Sequence, residues 1–382
     1  MYKSALALTL VGAAPALAAT PPELGPAPAL RAPIALLVDL SAGQDLAARN
    51  PDQRMLPASV TKAMSALVAF ELIARGRLSE NQLITVRPET ARRWAGKGTT
   101  LALRPGEQVT VHDLLLGMTT VSANDAAAAL AEGALGGTAA WSAAMNDQAR
   151  QLGMIGSHFE TPNGFPDHRR TYVTARDLVR LAAALISRHP ALYARYIGHP
   201  SFTWHGRLLA SHDPFAGVVV GADGIKTGHS FEAGFNFLGA VTRGGRRLVV
   251  VIGGAPTESG RAAAARALIE WGFARWELKQ IAPPRWIAGE APVQGGSARR
   301  LALIAAAGVQ IAVPRGSNPA LSARIVYTGP LRAPIAQGTE VARLVISQAR
   351  QPDHSIPLTA ARAVSRAGRI DRLTNGLLSP WR

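Results

Sequence analysis

The apolar residues of this chain change their spacing along its length, and that change limits the folds open to it. Ile34 to Leu40 reads as a buried strand, followed by the turn residues Ser41-Ala42-Gly43-Gln44 and a return strand near Asp45 to Ala48. From Pro57-Ala58-Ser59 the spacing becomes helical: Met64, Leu67, Val68 and Leu72 recur at the 3.6-residue period until Gly76 stops the helix. Val111 to Leu115 opens a second helical stretch, and Asn124 to Ala134 continues as an Ala-rich, buried helix. Thr174 caps a third helix running to Ser187. Strand character returns at Phe202 to Trp204, Phe235 to Val241 and Leu248 to Gly253, before a helix from Thr257 to Phe273. Strands, helices, strands and a closing helix describe an α+β domain whose sheet is assembled from both ends of the segment.

Near residue 278 the pattern shifts. After Pro283-Pro284, short β-like runs at Leu301 to Ile304, Val309 to Val313, Ala323 to Tyr327 and Val341 to Ile346 predict a small all-β domain. Val364, Ala367, Ile370, Leu373, Leu377 and Trp381 fit one side of a helix, with Arg369, Arg372 and Asn375 away from it. Such a tail suits an anionic membrane surface, or a helix docked on its own domain. At the other end, Lys3, the apolar stretch Ala5 to Val11 and Ala16-Leu17-Ala18 have the form of a cleavable export signal, too short to span a bilayer. The expected division is therefore a signal peptide over 1–19, a catalytic domain over 20–277, a β-rich domain over 278–358 and an amphipathic tail over 359–382. With no cysteine in the chain, disulfides, thiol catalysis, thiolate metal sites and a lipidated cysteine are all excluded. The nine histidines show no H-E-x-x-H or comparable ligand pair, so neither a metal nor another cofactor is expected. The formal charge of +16 fits either a solvated Arg-rich surface or attraction to a polyanion. Nucleic acid is not the expected polyanion, because the charges neither cluster in one arm nor alternate with aromatic residues.

Three short motifs stand in order: Ser59-Val60-Thr61-Lys62, Ser122-Ala123-Asn124 and Lys226-Thr227-Gly228. Each is weak alone. Together they match the S-x-x-K, S-x-N and K-T-G set of penicillin-binding proteins and serine β-lactamases. Ser59 and Lys62 open a predicted helix, which puts both side chains on one face. Composition adds an independent argument. The basic residues are 36 arginines and only five lysines, of which Lys62 and Lys226 fall inside the two lysine-bearing motifs. Lysine can lose its proton when desolvated and arginine cannot, so a lysine at position 62 is best explained by a base. A serine hydroxyl needs such a neighbour to become a nucleophile. Beside Ser59 and near a second ammonium, Lys62 should have a depressed pKa. Ser122 can relay a proton to the leaving amine, Asn124 can hold Lys62 and the substrate amide, and Lys226 adds positive potential for a substrate carboxylate.

The chain resembles the low-molecular-weight D-alanyl-D-alanine carboxypeptidases of peptidase family S11, the penicillin-binding protein 5 type. The resemblance rests on Leu56 to Lys62, Ser122 to Asp125, Asn163-Gly164-Phe165-Pro166-Asp167 and Asp223 to His229, and extends over the β-rich region with Val313-Pro314-Arg315-Gly316 and the tail. It implies an antiparallel sheet flanked by helical clusters, then a small β domain and a membrane-associating tail. It further implies removal of the terminal D-Ala from peptidoglycan stem peptides through a Ser59 acyl-enzyme, and acylation of that serine by β-lactams. By the same resemblance, Ser59, Lys62, Ser122 and Asn124 are catalytic; Lys226, Thr227, Gly228, His229 and Arg261 bind substrate; and the backbone N–H groups of Ser59 and His229 form the oxyanion hole. The implied location is the periplasm, on the outer face of the cytoplasmic membrane. Two departures stand out. Ala123 replaces the usual glycine and is expected to narrow the cleft, and Ala210-Ser211-His212-Asp213 replaces an Asn–basic–Asn segment. Alternatives are a D,D-endopeptidase on cross-links, a β-lactamase using Glu160, and an inactive wall-binding scaffold. The last would predict loss of Ser59 or Lys62, and both are present.

Overall fold

The computed structural model describes residues 3–8, 27–28, 32–348, 351 and 353–368. These divide into two compact units. One is made of Pro26–Leu40 with Asp45–Phe273, the other of Met1–Gly25, Ser41–Gln44 and Ala274–Arg382. In chain order the elements begin with β1 (Lys3–Leu8), β2 (Ile34–Asp39), β3 (Gln44–Arg49), α1 (Lys62–Ala74), β4 (Leu83–Thr85), α2 (Pro88–Trp94) and β5 (Gln108–Thr110). Then come α3 (Val111–Thr119), α4 (Asn124–Leu135), α5 (Thr138–Gln151), α6 (Ala175–Arg188), α7 (Pro190–Tyr196), β6 (Ser201–Trp204) and β7 (Arg207–Ala210). β8 (Ala222–Ser230), β9 (Gly234–Arg243), β10 (Arg246–Ala255) and α8 (Glu258–Arg275) follow.

The larger unit is built on a five-stranded sheet in the order β3-β2-β10-β9-β8, antiparallel at β2–β10, β10–β9 and β9–β8. All six residues of β2 are buried, because both faces of the sheet are covered. Alternate residues therefore serve different partners. Ile34, Leu36, Val38, Val249 and Val251 join the helical core. On the other face α8 comes close enough that a side chain at Gly272 would strike Leu37 and Leu248. Burial on both faces is why β2 and β10 read as continuous apolar runs. Within the helical core α1 is buried on nearly every side, and the alanines of α4 let its neighbours approach closely. Thr174 caps α6 as expected, its hydroxyl accepting from Asp177 N at 3.1 Å.

The smaller unit adds β11 (Trp276–Ala282), β12 (Trp286–Gln294), β13 (Arg300–Ala305), β14 (Val309–Pro314), β15 (Leu321–Thr328), β16 (Leu331–Arg332), β17 (Glu340–Gln348) and β18 (His354–Ala360). Seven of its strands form one sheet, β1-β15-β17-β18-β13-β12-β16, and β11 pairs with β14. Inward residues alternate along the strands: Leu301 and Leu303, Ile311 and Val313, Leu344 and Ile346 share one apolar core. The α+β class with an all-β C-terminal part is thus as the sequence predicts. The expected start of the tail at 359 is corrected. β18 crosses that point to Ala360, Val364 bridges Ile335, and Arg366 bridges Gly296, so extended backbone occupies the first part of the expected helix. Residues 369–382, where the rest of that helix was expected, lie outside the described residues. Within the expected signal peptide, Lys3–Leu8 is β1, paired antiparallel with β15. Among the described residues no helix is long and apolar enough to cross a membrane.

Candidate active site

Ser59 lies in a single 3-10 turn, Ala58–Thr61, directly ahead of α1. The Ala58 backbone is held at φ +48°, a left-handed conformation that costs an alanine about 1 kcal/mol or more. Lys62 opens α1 and is fully buried, at 0% exposure. Its Nζ lies 2.8 Å from Ser59 Oγ, 2.8 Å from Asn124 Oδ1 and 2.9 Å from the Asn163 carbonyl oxygen. Two of these partners can only accept. A neutral amine has two N–H donors for them and a lone pair left over for the Ser59 hydroxyl proton. Burial first, and then the charge of Lys226, hold the Lys62 pKa well below the ordinary 10.5, with Asp125 opposing.

The second motif is fixed by the start of α4. Asn124 accepts from Lys62, donates from Nδ2 to the Lys97 carbonyl at 3.1 Å, and donates from its backbone N to the Thr99 carbonyl at 2.8 Å. Asp125 holds the same loop further on, its carboxylate accepting from Leu101 N at 2.9 Å and Leu103 N at 3.1 Å. Burial pushes the Asp125 carboxyl up. Ser122 stands at φ +69°, again left-handed for a residue with a side chain, and lines the cleft. Beneath, Trp141 Nε1 donates to Ser65 Oγ at 3.1 Å, and Ser65 donates to the Pro162 carbonyl at 2.5 Å. That chain anchors the loop whose next carbonyl, of Asn163, receives Lys62.

The third motif lies on β8, the edge of the sheet. β8 crosses the Ser59 turn so closely that a Cβ at Gly228 would come 2.4 Å from the Pro57 carbonyl oxygen and 3.1 Å from Ser59 N. Lys226 is buried and donates to the Thr227 carbonyl at 3.0 Å. Burial lowers its pKa to about 7; Asp213 pulls it up and Arg261 pushes it down. Arg261, also buried, donates to Glu258 Oε1 at 3.0 Å, while its Nε finds no partner among the described residues. Ser59, Ser122, Asn124, Thr227, Gly228, His229 and Arg261 all line one cleft of about 420 Å³, with Lys62 and Lys226 buried beneath it. The His229 ring is exposed and stacks on Phe235, centroids 3.9 Å apart.

Residues 20–257 match the family model described as D-alanyl-D-alanine carboxypeptidase, peptidase S11, and residues 277–366 match that of the penicillin-binding protein 5 C-terminal domain. The chain is 32% identical over 370 residues to the D-alanyl-D-alanine carboxypeptidase DacD of Salmonella typhimurium, covering 94% of each. The chain belongs to the S11 family of D-alanyl-D-alanine carboxypeptidases. Penicillin-binding protein 5 of Haemophilus influenzae superposes with a TM-score of 0.76 at 30% identity, over 89% of this chain and 99% of that one. Penicillin-binding protein D2 of Listeria monocytogenes, in its ampicillin-bound form, matches with a TM-score of 0.58 at 32% identity, over 65% of this chain and 100% of that one.

Against this S11 background, two expectations are settled by geometry. The Ala123 methyl does not narrow the cleft: it is fully buried in the helical core and is absent from the cleft lining. Glu160 also lies off the cleft lining, where its carboxylate pairs with Arg170 at 3.2 Å and with His158 at 3.5 Å. Several site residues had no role assigned from sequence. They are Asn163, Asp125, the Ser65–Trp141 pair, and His212 with Asp213. Asn163 and Asp125 stand inside the family-like segments, which was the available signal. Ser65 had only its spacing, one turn beyond Lys62 on α1.

Proposed function

We propose that this S11 enzyme is a serine carboxypeptidase that removes the last D-Ala of a peptidoglycan stem peptide. The observation that carries the reading is the buried Lys62 amine, 2.8 Å from Ser59 Oγ, with its other two partners both acceptors. Lys62 takes the Ser59 proton as Oγ attacks the carbonyl between the two terminal D-Ala residues. The tetrahedral oxyanion sits against the backbone N–H groups of Ser59 and His229. Ser122 passes a proton to the departing D-Ala amine, and water then hydrolyses the ester and restores Ser59. Lys226 and Arg261 supply the positive potential for the substrate's terminal carboxylate, Thr227 and Gly228 line its path, and Asn124 holds the amide. The endopeptidase alternative places a longer peptide in the same cleft and is not favoured by the family.

A β-lactam imitates the attacked amide and should acylate the same oxygen. Peptide mass mapping after penicillin treatment should therefore place a stoichiometric adduct on Ser59, stable for minutes or longer, and a pentapeptide should lose one D-Ala. An adduct on another residue, or rapid turnover of the penicillin, would contradict the assignment.

Export, cleavage of the leader and peripheral attachment to the outer face of the cytoplasmic membrane belong to the same proposal, supported by the pattern of residues 1–19 and of the tail. Deleting 369–382 keeps β18 and the Val364 and Arg366 bridges. The expected result is release of the enzyme from the membrane fraction with acylation unchanged. Unaltered partitioning would remove the anchor from the proposal.

A further inference from the structure

The cleft holds an ionisable ring that acyl transfer does not use. His212 is exposed and lines the cavity together with Ser59, Thr227, Glu258 and Arg261. The titratable and charged groups around it come from three places. Lys226 and the exposed His229 ring are on β8, Glu258 and Arg261 are on α8, and Asp213 is its own neighbour. The two anions are already engaged: Glu258 accepts from Arg261 at 3.0 Å, and Asp213 Oδ1 accepts from Phe215 N at 2.8 Å. The unpartnered Nε of Arg261 is a buried donor still lacking an acceptor.

We propose that His212 is a third basic contact for the anionic end of the ligand in this cleft, and that its ring takes up a proton as that anion binds. Although the residue is exposed at its surface, partial enclosure of the ring by the cleft, and then Lys226, hold its pKa below the ordinary 6.5 in the free enzyme; Glu258 raises it and Arg261 lowers it. A bound carboxylate reverses that balance, since an anion beside two cations and a ring favours the protonated ring. Both ring nitrogens then donate. Proton uptake coupled to binding means that affinity rises as the pH falls from the pKa of the liganded ring to that of the free ring. Below both values affinity levels off. The inference rests on the acyl-transfer reading above, but fails separately from it.

The test uses the full chain carrying Ser59→Ala, so that a peptide ending in D-Ala-D-Ala binds without turnover. The His212 ring resonance, identified by its loss in a Ser59→Ala, His212→Gln double variant, is followed by NMR from about pH 5 to 8 with and without peptide. The expected outcome is an upward shift of about one pH unit on binding, matched by an affinity gain of about tenfold at the acid end. A peptide with an amidated C-terminus should give no shift. In the double variant the proton uptake on binding should fall by the share of the His212 ring. A ring pKa unmoved or lowered by the acid peptide overturns the inference, as does equal acid-end gain in the His212→Gln variant. A Ser59 adduct in the unmodified enzyme alongside either result leaves the acyl-transfer mechanism standing; absence of the adduct defeats the mechanism itself.

Discussion

Lys62→Met should give a folded enzyme whose rate of acylation by penicillin is lower by roughly 10²- to 10⁴-fold, the usual contribution of a positioned base. Methionine fits the buried space without a charge, so the thermal transition should survive and a change in acylation reads the chemistry. Lys62→Arg is the complementary variant: it restores a cation that cannot yield its proton, and should be as inactive as Lys62→Met. The pH profile adds a sign. In the proposed mechanism the neutral amine is the active form, so acylation should rise with pH through the lowered pKa of Lys62 and reach its plateau well below 10.5. Lys226→Gln removes the neighbouring ammonium that helps to depress Lys62 wherever Lys226 is protonated, and should move the part of this limb below about pH 7 to higher pH. A limb that stays in place, or an active Lys62→Arg enzyme, would show that another group takes the proton.

Gly164→Ala is expected to harm both stability and chemistry. Gly164 stands at φ +71°, and a Cβ there would lie 1.9 Å from the Ala58 carbonyl oxygen and 2.5 Å from Thr61 Oγ1. The methyl cannot be accommodated unless the Ser59 turn or the loop carrying the Asn163 carbonyl gives way. Backbone strain and overpacking together cost about 1–3 kcal/mol or more, and the Lys62–Asn163 contact is the first to be lost. Gly136→Ala supplies the control. That glycine has a similar backbone, φ +81°, but open space around its Cβ position. It should lose stability with acylation intact, as read by urea denaturation and by the rate of adduct formation. Equal effects of the two substitutions on acylation would mean that the loop contact is not needed.

How much of this could be read beforehand differs from element to element. α1 and α6 were legible because their apolar residues repeat over several turns and Thr174 marks a start. α5 was not: its buried Trp141, Met145 and Ala149 form one narrow stripe in a polar sequence. β18 was hidden by Pro357, which argues against a strand. In the site, the motif residues carried their own chemistry in their types and spacing. The partners of Lys62 were less visible. Asn163 acts through its backbone carbonyl, a group every residue possesses, and Asp125 acts by accepting loop N–H groups that only the folded chain brings near. The contrast at position 123 has the same origin. Ser122 and Ala123 are neighbours in sequence, but a left-handed turn sends one side chain to the cleft and the other to the core.

The parts of the cleft come from widely separated stretches: the turn at residues 58–61, the loop at 97–99, the start of α4, the Asn163 carbonyl, β8 and the first turn of α8. A nascent chain that has not yet added β8 owns both Ser59 and Lys62 but lacks the strand that closes over them. A labelled penicillin should therefore act as a stopwatch for maturation, marking only molecules in which the last of these segments has docked.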